Sequence, residues 1–194
     1  LKLKKSGGVR IHLQKNLPIA SGIGAGSSNA AMTLRGLNQL NNQPLSAGSI
    51  LELAAKLGSD VPFFLQDDPA LVTGRGEFVR SLKPFSALIG SGMLLVHPGF
   101  GVNTPWAYQA LAKNPEPFEV EGHAERMINS LGEGRLEGFN NSLEAAVFRK
   151  FPVLPLIKEF FFANGARASL MSGSGSTMFA ITGDRPLAEA LREK

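Results

Sequence analysis

The stretch Pro18-Ile19-Ala20-Ser21-Gly22-Ile23-Gly24-Ala25-Gly26-Ser27-Ser28 sets glycine at every second position from 22 to 26, directly ahead of a segment with helical spacing. From Ser27 onward, Ala30, Ala31, Leu34 and Leu37 fall on one face, and Asn41-Asn42 with Pro44 ends the run. Glycine lets backbone N–H groups turn toward a ligand with no Cβ in the way. The start of a helix adds amides that no intrahelical carbonyl uses, together with the positive end of the helix dipole. Such a loop favours an anion, most often phosphate. Ser27 and Ser28 add hydroxyls, either of which can reach a metal carried on that phosphate. The spacing differs from three other glycine loops. No Gly-Lys-Ser/Thr follows, as it would in Walker A. Ser27 stands where the dinucleotide fingerprint has its third glycine, and no His-Arg-Asp or Asp-Phe-Gly follows, as in protein kinases. A flexible strand-to-helix turn without a ligand is the competing reading of the same residues.

Outward from the loop, Val9, Ile11 and Leu13 alternate with Arg10, His12 and Gln14, which predicts a half-buried strand. On the other side, Ser46 is a predicted N-cap for a second helix carrying Ile50, Leu53, Ala54 and Leu57, with Gly58 as its C′ residue. In the connector Ser59-Asp60-Val61-Pro62, the proline pushes Val61 toward extended backbone. Asp60 there suits an Asx-turn. Short strands are expected at Ala70–Thr73 and Phe78–Arg80, around Gly74-Arg75-Gly76-Glu77. Residues 81–92 read as a loop, and the expected domains are 1–88 and 89–194.

In the second part, Met93–His97 reads as a buried strand and Thr104 as the cap of a helix with Pro105 in its first position. A Pro/Glu linker at 114–122 precedes helices expected at 123–131, 139–149 and 153–163, the last closed by Asn164-Gly165. Strands at Ala168–Met171 and Thr177–Thr182 flank Ser172-Gly173-Ser174-Gly175-Ser176, and a helix opens at Leu187. This order of elements predicts an α+β fold in two layers.

The 194 residues suit one ordinary domain or two small ones, and 43% hydrophobic with 19% charged residues excludes a mostly disordered chain. The absence of cysteine excludes disulfides, thiolate catalysis and cysteine–zinc sites. It fits a reducing compartment, and the cytoplasm is the expected location. His12, His97 and His123 have neither the spacing nor the acid partners of a metal site. No apolar run approaches the roughly 18 residues of a membrane span. Formal charge is +4, and residues 1–51 hold Lys2, Lys4, Lys5, Arg10, Lys15 and Arg35 without an acid. That basic quarter suits an anionic partner. The bases are too sparse, and known motifs too absent, to favour nucleic acid.

The stretch Pro18–Ser28 resembles the Pro-x-x-x-Gly-Leu-Gly-x-Gly-Ser-Ser motif of the GHMP kinases, which phosphorylate small metabolites. Three more segments are similar to the branch of that family acting on 4-diphosphocytidyl-2-C-methyl-D-erythritol. Leu57-Gly58-Ser59-Asp60-Val61-Pro62-Phe63-Phe64 resembles its Leu-Gly-Ala-Asp-Val-Pro-Phe-Phe block. His97-Pro98-Gly99 with Val102-Asn103-Thr104 resembles its Pro-x-x-x-Val-x-Thr segment, and Met171–Thr177 its C-terminal glycine loop. Order and spacing hold from Val9 to Thr182. The chain departs from the pattern at Ala20-Ser21, where the family is richer in glycine, at Ile23 in place of leucine, and at Ala25 in place of a common glycine.

The resemblance implies an α+β, two-domain GHMP kinase architecture, with an incomplete ribosomal-protein S5-like N-terminal part and a ferredoxin-like C-terminal domain. It implies that Pro18–Ser28 wrap the phosphates of ATP, that Asp60 sits at the acceptor hydroxyl, and that Thr104 lies near the site as a second catalytic residue. Gly173, Ser174 and Gly175 would bind substrate beside the first loop, and Ser28 would contact magnesium. Family members also begin with a strand similar to Pro-Ala-Lys-Ile-Asn-Leu that this chain does not show. On that comparison the chain is expected to be a truncated piece with little activity of its own. Other readings stay open: a GHMP kinase for homoserine or a mevalonate-pathway intermediate, a non-catalytic nucleotide-binding remnant, or a basic RNA-binding domain.

Overall fold

The periodicity that follows the glycine loop produces helix α1 (Ala25–Leu40), which begins two residues earlier than its apolar face suggests. The structure, a computed structural model, describes residues 8–113 and 122–194. The chain divides into two units: Gly24–Leu82 with the segment ending at Pro18, and Ile19–Ile23 with Lys83–Lys194.

In the first unit, α1 packs on helix α2 (Ala47–Leu57) and on a 3₁₀ turn at Pro62–Leu65. Ala31, Ala54 and Val61 are buried there, with Ala30, Leu34, Phe64 and Leu65 against them. Small side chains at the helix contact let the two backbones approach closely. Asn38 closes the connection between them, donating to Leu45 O at 3.2 Å and accepting from Leu45 N at 3.0 Å. Ser46 caps α2 as expected, its Oγ accepting from Ser49 N at 3.2 Å. Gly58 ends α2 in extended backbone (φ 170°, ψ 154°) and not in the left-handed turn of a C′ glycine. Strands β1 (Ala70–Thr73) and β2 (Phe78–Ser81) form an antiparallel pair with Leu71 opposite Arg80.

Two further expectations fail in this unit. Val61 is helical (φ −64°, ψ −40°), not extended. Its burial, and the bonds Val61 N to Gly58 O and Phe64 N to Val61 O, outweigh the modest steric bias set by Pro62. Val9–Gln14 is not a strand, and Val9, Ile11 and Leu13 are 57%, 61% and 59% exposed. Alternation specifies a strand only where a neighbour completes the ladder and covers the apolar face. No described strand pairs with it.

The second unit is built on an antiparallel sheet of β3 (Gly92–Val96), β4 (Ala168–Met171) and β5 (Met178–Thr182) in the order β3-β5-β4. Gly92 faces Thr182, Val96 faces Met178, and Met171 lies opposite Met178 on the other side. Leu94, Met171, Met178 and Ala180 enter one core with Val102 and with residues of four helices. These are α3 (Thr104–Lys113), α5 (Leu143–Lys150), α6 (Val153–Ala163) and α7 (Arg185–Arg192). Helix α4 (His123–Gly132) is tied to the 3₁₀ turn Ser86–Leu88 through Ser86 Oγ donating to Gly132 O at 2.9 Å.

The second unit brings its own corrections. β3 alternates rather than being buried throughout, with Met93 and Leu95 exposed on the face opposite Leu94. Helix α5 starts at Leu143, not near 139, because Asn141 turns its side chain back to accept from Leu143 N at 3.0 Å. Helix α7 starts at Arg185, capped by Asp184 Oδ1 from Leu187 N. The expected 114–122 linker falls, except for Gly122, outside the described residues, as do Lys2, Lys4 and Lys5. No described helix is long and apolar enough to cross a membrane.

Candidate functional site

The first glycine loop belongs to both units. From Gly24 onward it forms the start of α1. Gly24 is the N-cap in left-handed backbone (φ 68°), no side chain caps the helix, and its first turn carries no acid. The first amides of a helix have no intrahelical acceptor, so this end presents Ala25, Gly26 and Ser27 N–H to a ligand. Ser28 N is already committed to Gly24 O at 2.9 Å, which leaves its hydroxyl as the contribution of that residue. Gly24 is required twice over: besides its positive φ, a Cβ there would lie 2.5 Å from the ring of Phe64. Gly26 differs, because a Cβ on it would meet nothing within 4 Å. The space in front of this turn is open.

Phe64 carries the second expected segment to the same place. It ends the block Ser59-Asp60-Val61-Pro62-Phe63-Phe64, so the packing of its ring on Gly24 joins that block to the start of α1. Asp60 lies in the exposed turn after α2. Gly76, in the β1–β2 turn, backs this turn so closely that a Cβ would stand 2.0 Å from Ser59 O. The position of Asp60 is thus set by Val61 packing into the core on one side and by Gly76 on the other.

The other half of the loop, Ile19–Ile23, lies in the second unit and is bonded to the second glycine loop. Thr177 N donates to Ser21 O at 3.0 Å, Ser172 Oγ donates to Gly22 O at 3.1 Å, and Val102 N donates to Ala20 O at 3.1 Å. A Cβ on Gly22 (φ 81°) would lie 2.0 Å from Ser172 O. Ala20 holds left-handed backbone at φ 54°, a conformation that favours glycine, at one of the positions where the chain departs from the family pattern. Pro18 and Ile19 are exposed at the entry to the loop, and Ile23 is half-buried at its centre.

Ser174, Gly175, Ser176 and Thr177 of the second loop are buried, and Gly173 is exposed. Thr104 and Ser174 share a hydroxyl–hydroxyl hydrogen bond of 2.7 Å across 70 positions of sequence. Thr104 does not cap α3; Asn103 does, its Oδ1 accepting from Trp106 N at 2.9 Å. Asparagine is a strong N-cap, and with the cap supplied, the Thr104 hydroxyl turns to the loop. His97 takes part through Nδ1, 3.4 Å from Ser176 Oγ, while that hydroxyl donates to Phe100 O.

Sequence reasoning missed Asn141 and Glu144. Asn141 Nδ2 donates to Met171 O at 2.7 Å and to Gly173 O at 2.8 Å. Glu144 accepts from Met171 N at 2.7 Å and pairs with Lys158 at 2.5 Å. Neither has a local signal beyond a helix start, since the partners are about thirty residues away. Another cleft, of about 410 Å³, is lined by His123, Arg126, Met127, Ser130, Arg135 and Gly138. Its polar groups engage one another: His123 Nε2 meets Gly138 O at 2.7 Å, and Arg135 pairs with Glu133 at 2.6 Å. The Glu133 hydrogen bond and charge raise the pKa of Arg135, with Glu137 adding to them. No group of three or more metal-ligating side chains occurs among the described residues.

Residues 1–68 match the GHMP kinases N terminal domain and residues 120–194 the GHMP kinases C terminal domain. The 4-diphosphocytidyl-2-C-methyl-D-erythritol kinase of Pelobacter propionicus is 39% identical over 193 residues, covering 95% of this chain and 64% of that protein. The enzyme of the same name from Citrifermentans bemidjiense is 40% identical over 183 residues, covering 93% and 63%. The chain therefore spans about 64% of the length of such relatives. A crystal structure of 4-(cytidine 5'-diphospho)-2C-methyl-D-erythritol kinase superposes with a TM-score of 0.76 at 36% identity, covering 93% of this chain and 65% of that one. The homoserine kinase of Cytophaga hutchinsonii, at TM-score 0.71 and 19% identity over 92% of this chain and 62% of its own, shares the fold. With both halves of the architecture matched in order and the α+β fold in place, the chain belongs to the GHMP kinases.

Proposed function

We propose that the protein transfers the γ-phosphate of ATP to the 2-hydroxyl of 4-diphosphocytidyl-2-C-methyl-D-erythritol. The observation that carries this reading is the start of α1: a left-handed glycine, no capping side chain, no acid, and open space at Gly26. A triphosphate fits that end, because its oxygens accept from unused amides and its charge is favoured by the helix dipole. The names of the relatives supply the acceptor.

The roles follow from the residues. The amides of Ala25, Gly26 and Ser27 hold phosphate oxygens, and the preceding Pro18–Ile23 segment sets the entry to that turn. The Ser28 hydroxyl would hold magnesium, an ion that usually keeps waters and substrate phosphates as its other ligands and so asks for few protein groups. Bound ATP with magnesium supplies the phosphoryl group and neutralises its charge. Asp60 accepts the proton of the acceptor hydroxyl or orients it. Thr104, with Gly173, Ser174 and Gly175, binds the acceptor through the hydroxyl pair and the loop backbone, of which Gly173 is exposed. A cytoplasmic setting belongs to the same proposal, and the cysteine-free composition fits it.

The test is ADP release by the full-length protein against a panel of acceptors: the cytidyl-erythritol compound, homoserine and mevalonate-pathway alcohols. Turnover with the first alone is expected. Turnover with another acceptor, or ATP binding without turnover on any of them, would overturn the assignment.

A further inference from the structure

The base of the second glycine loop is gripped by two side chains from the start of α5. Asn141 uses its whole amide: Nδ2 donates to Met171 O at 2.7 Å and Gly173 O at 2.8 Å, and Oδ1 accepts from Leu143 N at 3.0 Å. Glu144 Oε1 accepts from Met171 N at 2.7 Å, and its other oxygen is held by Lys158 at 2.5 Å. Both backbone groups of Met171, the last residue of β4, are thus fixed by side chains. The Glu144 and Lys158 side chains are 12% and 25% exposed. Their mutual bond, largely shielded from water, resists the exchange with solvent that weakens surface pairs.

We infer that Asn141 and Glu144 are positioning residues that fix the Gly173–Gly175 backbone and the Ser174 hydroxyl for the acceptor, an inference that rests on the kinase reading above. Gly173 and Gly175 hold positive φ (55° and 84°) and have no side chains with which to anchor themselves. Apart from the short bonds Gly175 N to Ser172 O and Ser172 N to Thr177 O, the loop depends on outside groups. Asn141 is the donor at Gly173 O, one residue from the hydroxyl that meets Thr104 at 2.7 Å. Loss of that donor frees the carbonyl and lets Ser174 move. A displacement of about 1 Å at a reacting assembly can cost about a hundredfold in rate.

Asn141→Asp separates this role from the support Asn141 gives the start of α5. The aspartate keeps the acceptor for Leu143 N, next to the N-cap Ser142. It also replaces both donors with an oxygen facing two carbonyl oxygens. In the full-length protein, N141D should raise the acceptor KM about tenfold or more and leave the ATP KM within about twofold. Amide hydrogen exchange at residues 173–177 should quicken about tenfold, with α5 amides unchanged. Glu144→Gln, which keeps its shape and weakens the bonds to Met171 N and Lys158, should shift both readouts the same way by a smaller factor. Equal changes in both KM values, or exchange at 173–177 unchanged in N141D, would overturn the inference. The exchange measurement needs no turnover. A wild-type protein inert toward the acceptor would therefore overturn the kinase reading, while exchange still decides whether Asn141 holds the loop.

Discussion

The two glycine-rich loops solve opposite problems. From Gly24 to Ser28 the first is an open helix start, with no capping side chain and empty space at Gly26. The second, from Met171 to Thr177, is mostly buried and is tied by Asn141 before α5, by Glu144 in its first turn and by the hydroxyl of Thr104. One leaves helix-start amides without a capping side chain, while the other spends its polar groups on fixing a hydroxyl and a short run of backbone. Similar glycine content therefore carries two meanings. At Gly26 glycine leaves open space before the helix, whereas at Gly22 and Gly24 of the first loop, and at Gly173 and Gly175 of the second, it lets the backbone fit against another part of the protein.

The sharpest way to break this contrast is Gly22→Ala. Its Cβ would stand 2.0 Å from Ser172 O and within 3 Å of two Gly175 backbone atoms, at a φ of 81°. Backbone cannot yield as a flexible side chain does, so a loss of about 3 kcal/mol or more is expected in chemical denaturation. Next in size is Asp60→Asn in the full-length protein, which should lower kcat at least about tenfold with little change in ATP KM, as for loss of a general base. Unaltered turnover would remove Asp60 from the reaction.

Gly26→Ala sharpens the contrast from the other side. Nothing lies within 4 Å of the added Cβ, and alanine favours the helix by about 0.5–1 kcal/mol, so thermal stability should hold or rise. The same methyl intrudes where phosphate is proposed, and isothermal titration should show ATP bound about fivefold more weakly, about 1 kcal/mol. Binding equal to wild type would count against the amide cradle. The smallest effect is expected from Ala20→Gly. Relief of left-handed strain at φ 54° is partly offset by the freer unfolded chain, leaving a gain of about 0.5 kcal/mol in the denaturation midpoint analysis.

Much of the fold is legible along the chain. The helix after the loop, the Ser46 cap, both strands of the Ala70–Ser81 hairpin and the strands flanking the second glycine loop follow from spacing and turn residues. Readings that depended on context failed. Alternation at Val9–Leu13 predicts a strand, but a strand exists only with a partner. The rule that proline extends its predecessor was overridden at Val61 because that side chain is buried and its backbone is bonded on both sides. Thr104 has the residue type of a cap, but Asn103, one residue earlier, is the better one and takes the role.

The sequence by itself determined where a glycine-led helix start leaves its amides unused, because glycine freedom and the first turn of a helix are properties of a few adjacent residues. Tertiary structure alone decided which groups hold the second loop. Thr104 meets Ser174, Asn141 meets Gly173, and Ser172 meets Gly22 over separations of 70, 32 and 150 positions. A hydrogen bond requires its two groups to come within about 3 Å. No local pattern of residues specifies that approach, which follows only from how strands and helices pack.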